Sequence, residues 1–397
     1  VLHNTLDFRG GADAVCLHAC AALARDHEVT LFTVSETTLA EVASYFGLDA
    51  DPATVAVDFA REVDVRSPPA SAWIARGLST AAPWIGPQLA ARSALLARYA
   101  RPRLSEFDLA VSTTNELSLP IPSVQYVHVP QFTPELVPGG EAGRLDRLWR
   151  ALAAPPRWDG DDGSSERTRG SCWEETTLLT NSAWTADVVA SIYGRRPAVV
   201  HPPVDPIPGE PWDRRENGVV FAGRLAPDKR ALAAIDVVDR ARDRGADLHL
   251  HVVGSAPRAY RRYARRVASA AAGRPYVHLE RDVPRDRLER LLAGHRFGLT
   301  AKEHEHFGMA LAEYVAAGMV AFAPDSGGQR DVLDGRADRL YGSIEEAATL
   351  LARAARRGDP PRQQQDRFAS DRFRRHVREH VADTLRAHAP AILRERE

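Results

Sequence analysis

Short solid runs of apolar residues alternate along this chain with longer stretches in which apolar residues recur every three or four positions. The first pattern predicts strands buried on both faces, the second amphipathic helices, and their alternation predicts parallel sheets with crossover helices. At the start, "VLHNTLDF" reads as a strand and turn. Gly10, Gly11, the helix "ADAVCLHACAALARD" and the strand "HEVTLFTV" follow. Further strands are predicted over 108–113, 123–128, 177–182 and 197–206, with a helical stretch over 70–104 and a helix ending at Gly194. Residues 155–172 read as a polar loop. "IPGEPWDRREN", residues 207–217, has Pro, Gly and charge but no period, and reads as a linker. The alternation then restarts with "GVVFAGRL", a helix closed by Gly245, "DLHLHVVG", and so on through "FGLTA", "GMALAEYVAAG" and "MVAFAP". The expected fold class is α/β, with two Rossmann-like parallel-sheet domains, 1–206 and 207–375, facing a cleft. In such sheets ligands sit beyond the carboxyl ends of the strands.

Composition narrows the function. The 397 residues are 44% hydrophobic with a net charge of −1, so no basic stripe argues for nucleic acid as a partner. No run of 18 apolar residues predicts a membrane-spanning helix. The first residues carry no basic stretch followed by an apolar core, so no secretory leader is expected. Cys16, Cys20 and Cys172 show no paired spacing, which suggests a reducing cytoplasm, with Cys16 and Cys20 packed inside a helix. Of 52 basic residues only Lys229 and Lys302 are lysines, which singles out both.

The candidate chemistry lies at strand ends. Gly10 and Gly11 follow the first strand, where glycine lets a phosphate or sugar approach the backbone; a plain tight turn explains the pair as well. "RGGADA" lacks the G-x-G-x-x-G spacing of a dinucleotide site, which argues against an oxidoreductase. His128 ends a strand whose alternation puts Val124, Tyr126 and His128 on one face. In "FAGRLAPDKRAL" a strand ends at Gly223, followed by Arg224 and, five residues on, Lys229. A guanidinium fork, an ammonium and a helix N-terminus together suit a diphosphate. "KEHEHFGMALAE" puts Glu305 at the head of a helix with the amides of Phe307, Gly308 and Met309, and Glu313 about a turn and a half further in. A zinc reading of His304 and His306 fails on spacing, since they are i, i+2 rather than an H-E-x-x-H pair. Asp159, Asp161 and Asp162 fall in a Gly/Ser-rich loop rather than at a strand end, so no metal site is expected there.

Glu305 and Glu313 form an E-x7-E motif, and the chain resembles the GT-B glycosyltransferases of family 4 over nearly its whole length. The resemblance rests on the Gly10-Gly11 loop, His128, "TNSAWTADVV", "HPPVD", "GRLAPDK", "EHFGMALAE" and "SGGQRDVL" in order. Within the family, "YVHVP", "NSAWT", "HPPVD" and "EHFGMALAEYVAAG" are most similar to the α-1,2-mannosyltransferases that extend lipid-linked oligosaccharide. Asp331 stands where many members carry Glu, and Met319 replaces a small or branched residue. The resemblance implies the GT-B fold, with a C-terminal helix, 376–397, crossing back to complete the first domain. It implies a retaining hexosyltransferase that needs no cofactor and no metal, using a nucleoside-diphosphate sugar, GDP-mannose favoured, and a glycan or polyprenyl-linked acceptor. Arg224 and Lys229 would hold the diphosphate, and Glu313 the ribose. Glu305 and the 307–309 amides would hold the sugar and β-phosphate, and His128 would reach the donor sugar. Ser326, Gly327 and Gly328 would lie near the nucleotide. The expected location is cytoplasmic, with Trp73, Trp84 and neighbouring arginines suggesting the inner membrane face. A nucleotide-sugar 2-epimerase and a non-catalytic sugar-nucleotide-binding protein are the alternatives.

Overall fold

The computed structural model describes residues 1–8, 10–47, 63–85, 89–131, 133, 136–138, 174–256, 260–361 and 364–395. Asp159, Asp161, Asp162 and Cys172 lie outside them. The chain divides into two compact units, Val1–Pro203 with Ser370–Glu397, and Val204–Ala369.

The first unit carries β1 (Leu2–His3), α1 (Gly11–Leu23), β2 (Thr30–Thr33), α2 (Leu39–Tyr45), β3 (Asp64–Arg66), α3 (Ser71–Ile85), α4 (Leu89–Ala100), β4 (Ala110–Ser112), β5 (Ser123–Val127), β6 (Thr176–Thr180), α5 (Ala183–Tyr193) and β7 (Ala198–Val199). Its sheet runs β3-β2-β1-β4-β5-β6-β7, with parallel pairs throughout. Local chemistry fixes some ends: α5 starts where Ser182 accepts the Thr185 N–H at 3.1 Å and stops at Gly194, whose φ of 68° suits glycine. The expected strand over 197–206 is two residues long, because Pro202, Pro203 and Pro206 withhold ladder donors. Cys16 and Cys20 are free and fully buried on α1.

The second unit carries β8 (Glu216–Ala222), α6 (Ala231–Asp243), β9 (His249–Gly254), α7 (Arg261–Ala272), β10 (Val277–Arg281), α8 (Arg285–Gly294), β11 (His295–Leu299), α9 (Met309–Ala316), β12 (Val320–Pro324), α10 (Gln329–Val332), β13 (Leu340–Tyr341) and α11 (Ile344–Arg357). Its sheet is β10-β9-β8-β11-β12-β13, again parallel throughout. The order reverses between β8 and β11, and a crevice at such a switch point is where open parallel sheets take ligands.

Two boundaries differ from the sequence expectation. Residues 207–217 are no free linker. Ile207 and Glu210 donate backbone bonds to Ala316 and Ala293 at 3.2 and 3.0 Å, and the guanidinium of Arg215 caps the carbonyls of Ala317, Gly318 and His295. Arg215 is only 7% exposed, so this aperiodic segment satisfies the open carbonyl ends of α9 and α8. The final helix, α12, runs unbroken from Ser370 to Glu395. It joins the first unit from Ser370 rather than from 376, because Phe373 already lies in that core beside Tyr126 and Val377.

Candidate functional site

The switch point of the second unit is built by close approaches. Tyr314 of α9 reaches under the sheet, where its hydroxyl accepts the Ala222 N–H at 2.7 Å. Gly298 makes room for it, since a Cβ there would lie 2.3 Å from the Tyr314 ring. Past the end of β8, Gly223 and Arg224 turn over Gly254, where a Cβ would meet the Gly223 carbonyl at 1.8 Å. A short 3-10 turn, Pro227–Lys229, then delivers Lys229 to the mouth of the crevice.

Glu305 is the hub. The Lys229 ammonium donates to one carboxylate oxygen, and Lys302 stands 3.5 Å from the other. Lys302 is also 3.5 Å from Asp228, which lies 3.7 Å from Arg224. Three cations and two carboxylates therefore share this corner, leaving one surplus positive charge. Both lysines of the chain are here. Burial alone would raise the Glu305 carboxyl, but Lys229, then Lys302, outweigh it and hold the pKa down to about 2. Glu305 is thus an ionised acceptor at any physiological pH and no proton donor. Burial holds His306 beside it down to about 4, so that ring is neutral at pH 7.

The backbone under Glu305 is held by the Ser-Gly-Gly turn. Ser326 Oγ accepts the His304 N–H at 3.0 Å, and Gly328 donates to the Glu305 carbonyl at 2.8 Å. Gly327 has φ 66°, and a Cβ there would lie 2.3 Å from that carbonyl, so only glycine fits. Gln329 ties Thr300 (2.8 Å) to the Lys302 carbonyl (2.9 Å). Gly308 caps α9 with φ 101°, and Phe307 anchors the loop by packing edge-on against Phe368 at 5.3 Å. The first N–H groups of α9, Met309 among them, point out of the helix beside Glu305. Glu313, further along α9, forms an ion pair with Arg285 at the head of α8. Arg285 also bonds Glu289 at 2.8 Å.

In the first unit the expected residues gather at that sheet's own switch point, between β1 and β4. His128 follows β5, packs at a tilt against Tyr126 with centroids 4.9 Å apart, and donates from Nε2 to the Thr113 carbonyl at 3.2 Å. Asn115 accepts its backbone N–H at 2.7 Å, and Asn181 donates to its carbonyl at 3.0 Å. Gly10 caps α1, its N–H donating to buried Asp13 at 3.0 Å, and Gly11 is the first helical residue. A Cβ at Gly10 would meet nothing within 4 Å, so that position leaves open space rather than a required turn.

Sequence reasoning missed Asp228, Lys302 and Arg285 as parts of the site. Lysine rarity had singled out Lys302, but its pairing with Asp228 becomes visible only when β8 and β11 are adjacent. Nothing local in the sequence links Arg285 to Glu313. The resemblance places Ser326, Gly327 and Gly328 near the nucleotide; in addition, this turn supports the Glu305 backbone.

Residues 216–357, most of the second unit, match the family described as glycosyl transferases group 1. Curated relatives include the GDP-Man:Man(3)GlcNAc(2)-PP-Dol alpha-1,2-mannosyltransferases of Eremothecium gossypii and Candida glabrata. They are 29% and 30% identical over 165 and 166 residues, 38% of this chain in each case. The matched segment spans 28% and 33% of those relatives' own lengths. Among solved structures, Anabaena Alr3699/HepE in complex with UDP and glucose aligns over 96% of this chain and 98% of its own. Its TM-score is 0.57 at 14% identity. WaaG, a glycosyltransferase involved in lipopolysaccharide biosynthesis, aligns over 95% and 94%, with a TM-score of 0.56 at 16% identity. Such identities speak for the fold alone. The chain has the two-sheet GT-B fold, and within its second unit residues 216–357 are similar to the glycosyl transferases group 1 family.

Proposed function

We propose that the protein is a retaining hexosyltransferase that takes mannose from GDP-mannose and passes it to a lipid-linked glycan, without a metal ion. The observation that carries this reading is the cationic corner at the β8–β11 switch point, where Lys229 and Lys302 flank Glu305 at the head of α9 and Arg224 stands beside Asp228. Loss of a nucleoside diphosphate builds negative charge on the β-phosphate, and preorganised cations and helix amides stabilise charge that develops during the reaction. An incoming diphosphate competes with Glu305 and Asp228 for the three cations. Glu305, displaced from Lys229, then turns its ionised oxygens to the hexose hydroxyls. Glu313 accepts from the ribose in exchange for Arg285. The relatives' names support mannose, GDP and a dolichol-linked acceptor. Trp73, 79% exposed on α3, is the described residue that best suits an interfacial membrane contact, and no described helix is long and apolar enough to cross a membrane. The side chain of Trp84 lies outside the described set.

The test is thermal shift with GDP, UDP and ADP, followed by turnover of the matching sugar nucleotides with and without a polyprenyl-linked oligosaccharide. Release of GDP from GDP-mannose only with acceptor supports the proposal. Conversion of the donor to its 2-epimer without acceptor, or binding without GDP release on any acceptor, overturns it.

A further inference from the structure

A second cluster lies at the other end of the same sheet. His249 and His251 of β9, two residues apart, share one face, and His295 opens β11 on the far side of β8. Their ligand nitrogens all fall within 4.8 Å of one another. They meet across β8 because the intervening residue is Gly218, where a Cβ would sit 2.3 Å from His249 Nε2 and 2.4 Å from His295 Cδ2. Any larger residue at 218 would separate the rings.

The hydrogen bonds around the rings set their tautomers. His295 Nδ1 is 2.7 Å from the Leu291 carbonyl, which can only accept, so Nδ1 carries the proton and Nε2 offers a lone pair. His251 Nδ1 is 2.7 Å from Glu280, so its Nε2 also keeps a lone pair. Glu280 is itself gripped by Arg287 at 2.8 and 3.0 Å. A carboxylate or a carbonyl behind the distal nitrogen is the usual outer support of a metal-bound histidine. His295 Nε2 and His249 Nε2 face each other at 3.1 Å. Two nitrogens bound to one tetrahedral zinc stand about 3.3–3.4 Å apart, given Zn–N bonds of about 2.0–2.1 Å. The wider separations close by small rotations of His249 and His251, the less buried rings. His295 is 4% exposed, whereas the cluster opens to solvent toward exposed His278, whose ring centroid is 4.9 Å from that of His251.

We propose that His249, His251 and His295 bind one divalent transition-metal ion of the zinc class, which staples β9 to β11 across Gly218 of β8. Three imidazole nitrogens suit zinc, nickel or copper rather than magnesium or calcium, which prefer oxygen. The fourth position belongs to water or His278. Gly218 and Ala222 are four strand steps apart, about 13 Å, so the ion sits far from the crevice mouth and serves stability rather than glycosyl transfer. His304 and His306, the pair that first suggests a metal in the sequence, do not belong to this cluster.

The experiment uses the full chain with any polyhistidine tag removed, stripped with EDTA and desalted. Zinc chloride is titrated against a chromophoric chelator, and melting is followed at each ratio. One equivalent of zinc should bind and raise Tm, and cobalt should give the visible bands of a tetrahedral nitrogen site. His249→Gln and His251→Gln, both at partly exposed positions with folding checked by circular dichroism, should lose that equivalent and the zinc-induced rise in Tm. Glu280→Gln should weaken binding about 10–100-fold, and His27→Gln in the first unit should bind as the parent does. Absence of a stoichiometric zinc, or an equivalent that survives His249→Gln and His251→Gln, overturns the proposal. The rings would then be an edge-on histidine cluster that holds no metal.

Discussion

Replacing Lys229 by Ala removes the cation that holds Glu305 most directly. Two unit charges 3.5 Å apart, the Lys302–Glu305 separation, attract by about 5 kcal/mol at an effective dielectric of 20 before any desolvation cost. Lys229 lies closer still, and its side chain is 25% exposed, so a diphosphate taking the place of Glu305 beside it would feel an interaction of at least this gross size. The net loss is smaller, because water refills the site and Lys302 remains beside Glu305. Removing one preorganised charge stabiliser costs about 2–4 kcal/mol of transition-state stabilisation. That predicts kcat lower by about 30- to 1,000-fold, with a smaller change in donor KM. Folding should suffer little, since a partly exposed ion pair contributes about 0–1 kcal/mol. GDP release, followed at saturating GDP-mannose and acceptor, reads kcat, and a urea melt reads stability. The double variant with Glu305→Gln adds a check: because the two side chains are bonded to each other, their effects should fall short of additive. A Lys229→Ala enzyme within threefold of the parent in kcat, or one whose whole deficit lies in acceptor KM, would refute the assignment of this corner to the leaving diphosphate.

Other expectations follow from the same geometry. Glu313→Gln weakens one charge-assisted bond, about 1.5–3 kcal/mol, and should appear mainly as a higher donor KM with kcat nearly unchanged. Gly327→Ala should lower both Tm and kcat: the left-handed backbone alone costs about 1–2 kcal/mol, and the new methyl presses on the Glu305 carbonyl, displacing the hub. His18 is held down to about 3, first by burial and then by Arg374, whereas its ordinary value is 6.5. The unfolded chain therefore takes up a proton that the folded chain refuses, and stability falls as pH drops from about 6.5 toward 3. His18→Gln should flatten that acid limb by about 1.4 kcal/mol per pH unit, seen in urea midpoints from pH 7 to 4. Turnover assayed immediately after EDTA addition at low temperature should be unchanged. A fall restored by magnesium or manganese would count against a metal-free reaction, whereas a lower Tm restored by zinc concerns the histidine cluster.

Much of the architecture was legible from periodicity. A buried parallel strand has to be an unbroken apolar run and its crossover helix has to repeat every three or four residues, so the elements from Gly218 to Gly358 could be read almost one by one. Capping added their ends, as at Ser343, which accepts the Glu346 N–H at 3.1 Å, and Gly358, with φ 66°. The spacing of Glu305 and Glu313 likewise placed one at the head of a short helix and the other within it before any contact was known. Short elements escaped: β3, β13 and α2 are too brief to show a period, and 207–217 looked like a linker because a segment held by backbone and guanidinium bonds needs no apolar pattern. What the sequence could not supply is which distant residues meet. Lys229 reaches Glu305 only because β8 and β11, separated by two intervening strands in the chain, are neighbours in the sheet. Arg285 finds Glu313 because α8 and α9 start at the same crevice. The histidines of "DLHLHVVG" announce one shared face by their i, i+2 spacing, yet their meeting with His295 depends on the same crossover and on a missing side chain at Gly218. Local sequence fixes dihedral preference and burial pattern, which are properties of a few consecutive residues. Charge pairing and ligand geometry are properties of strand order, which the whole chain decides by burying its apolar faces together.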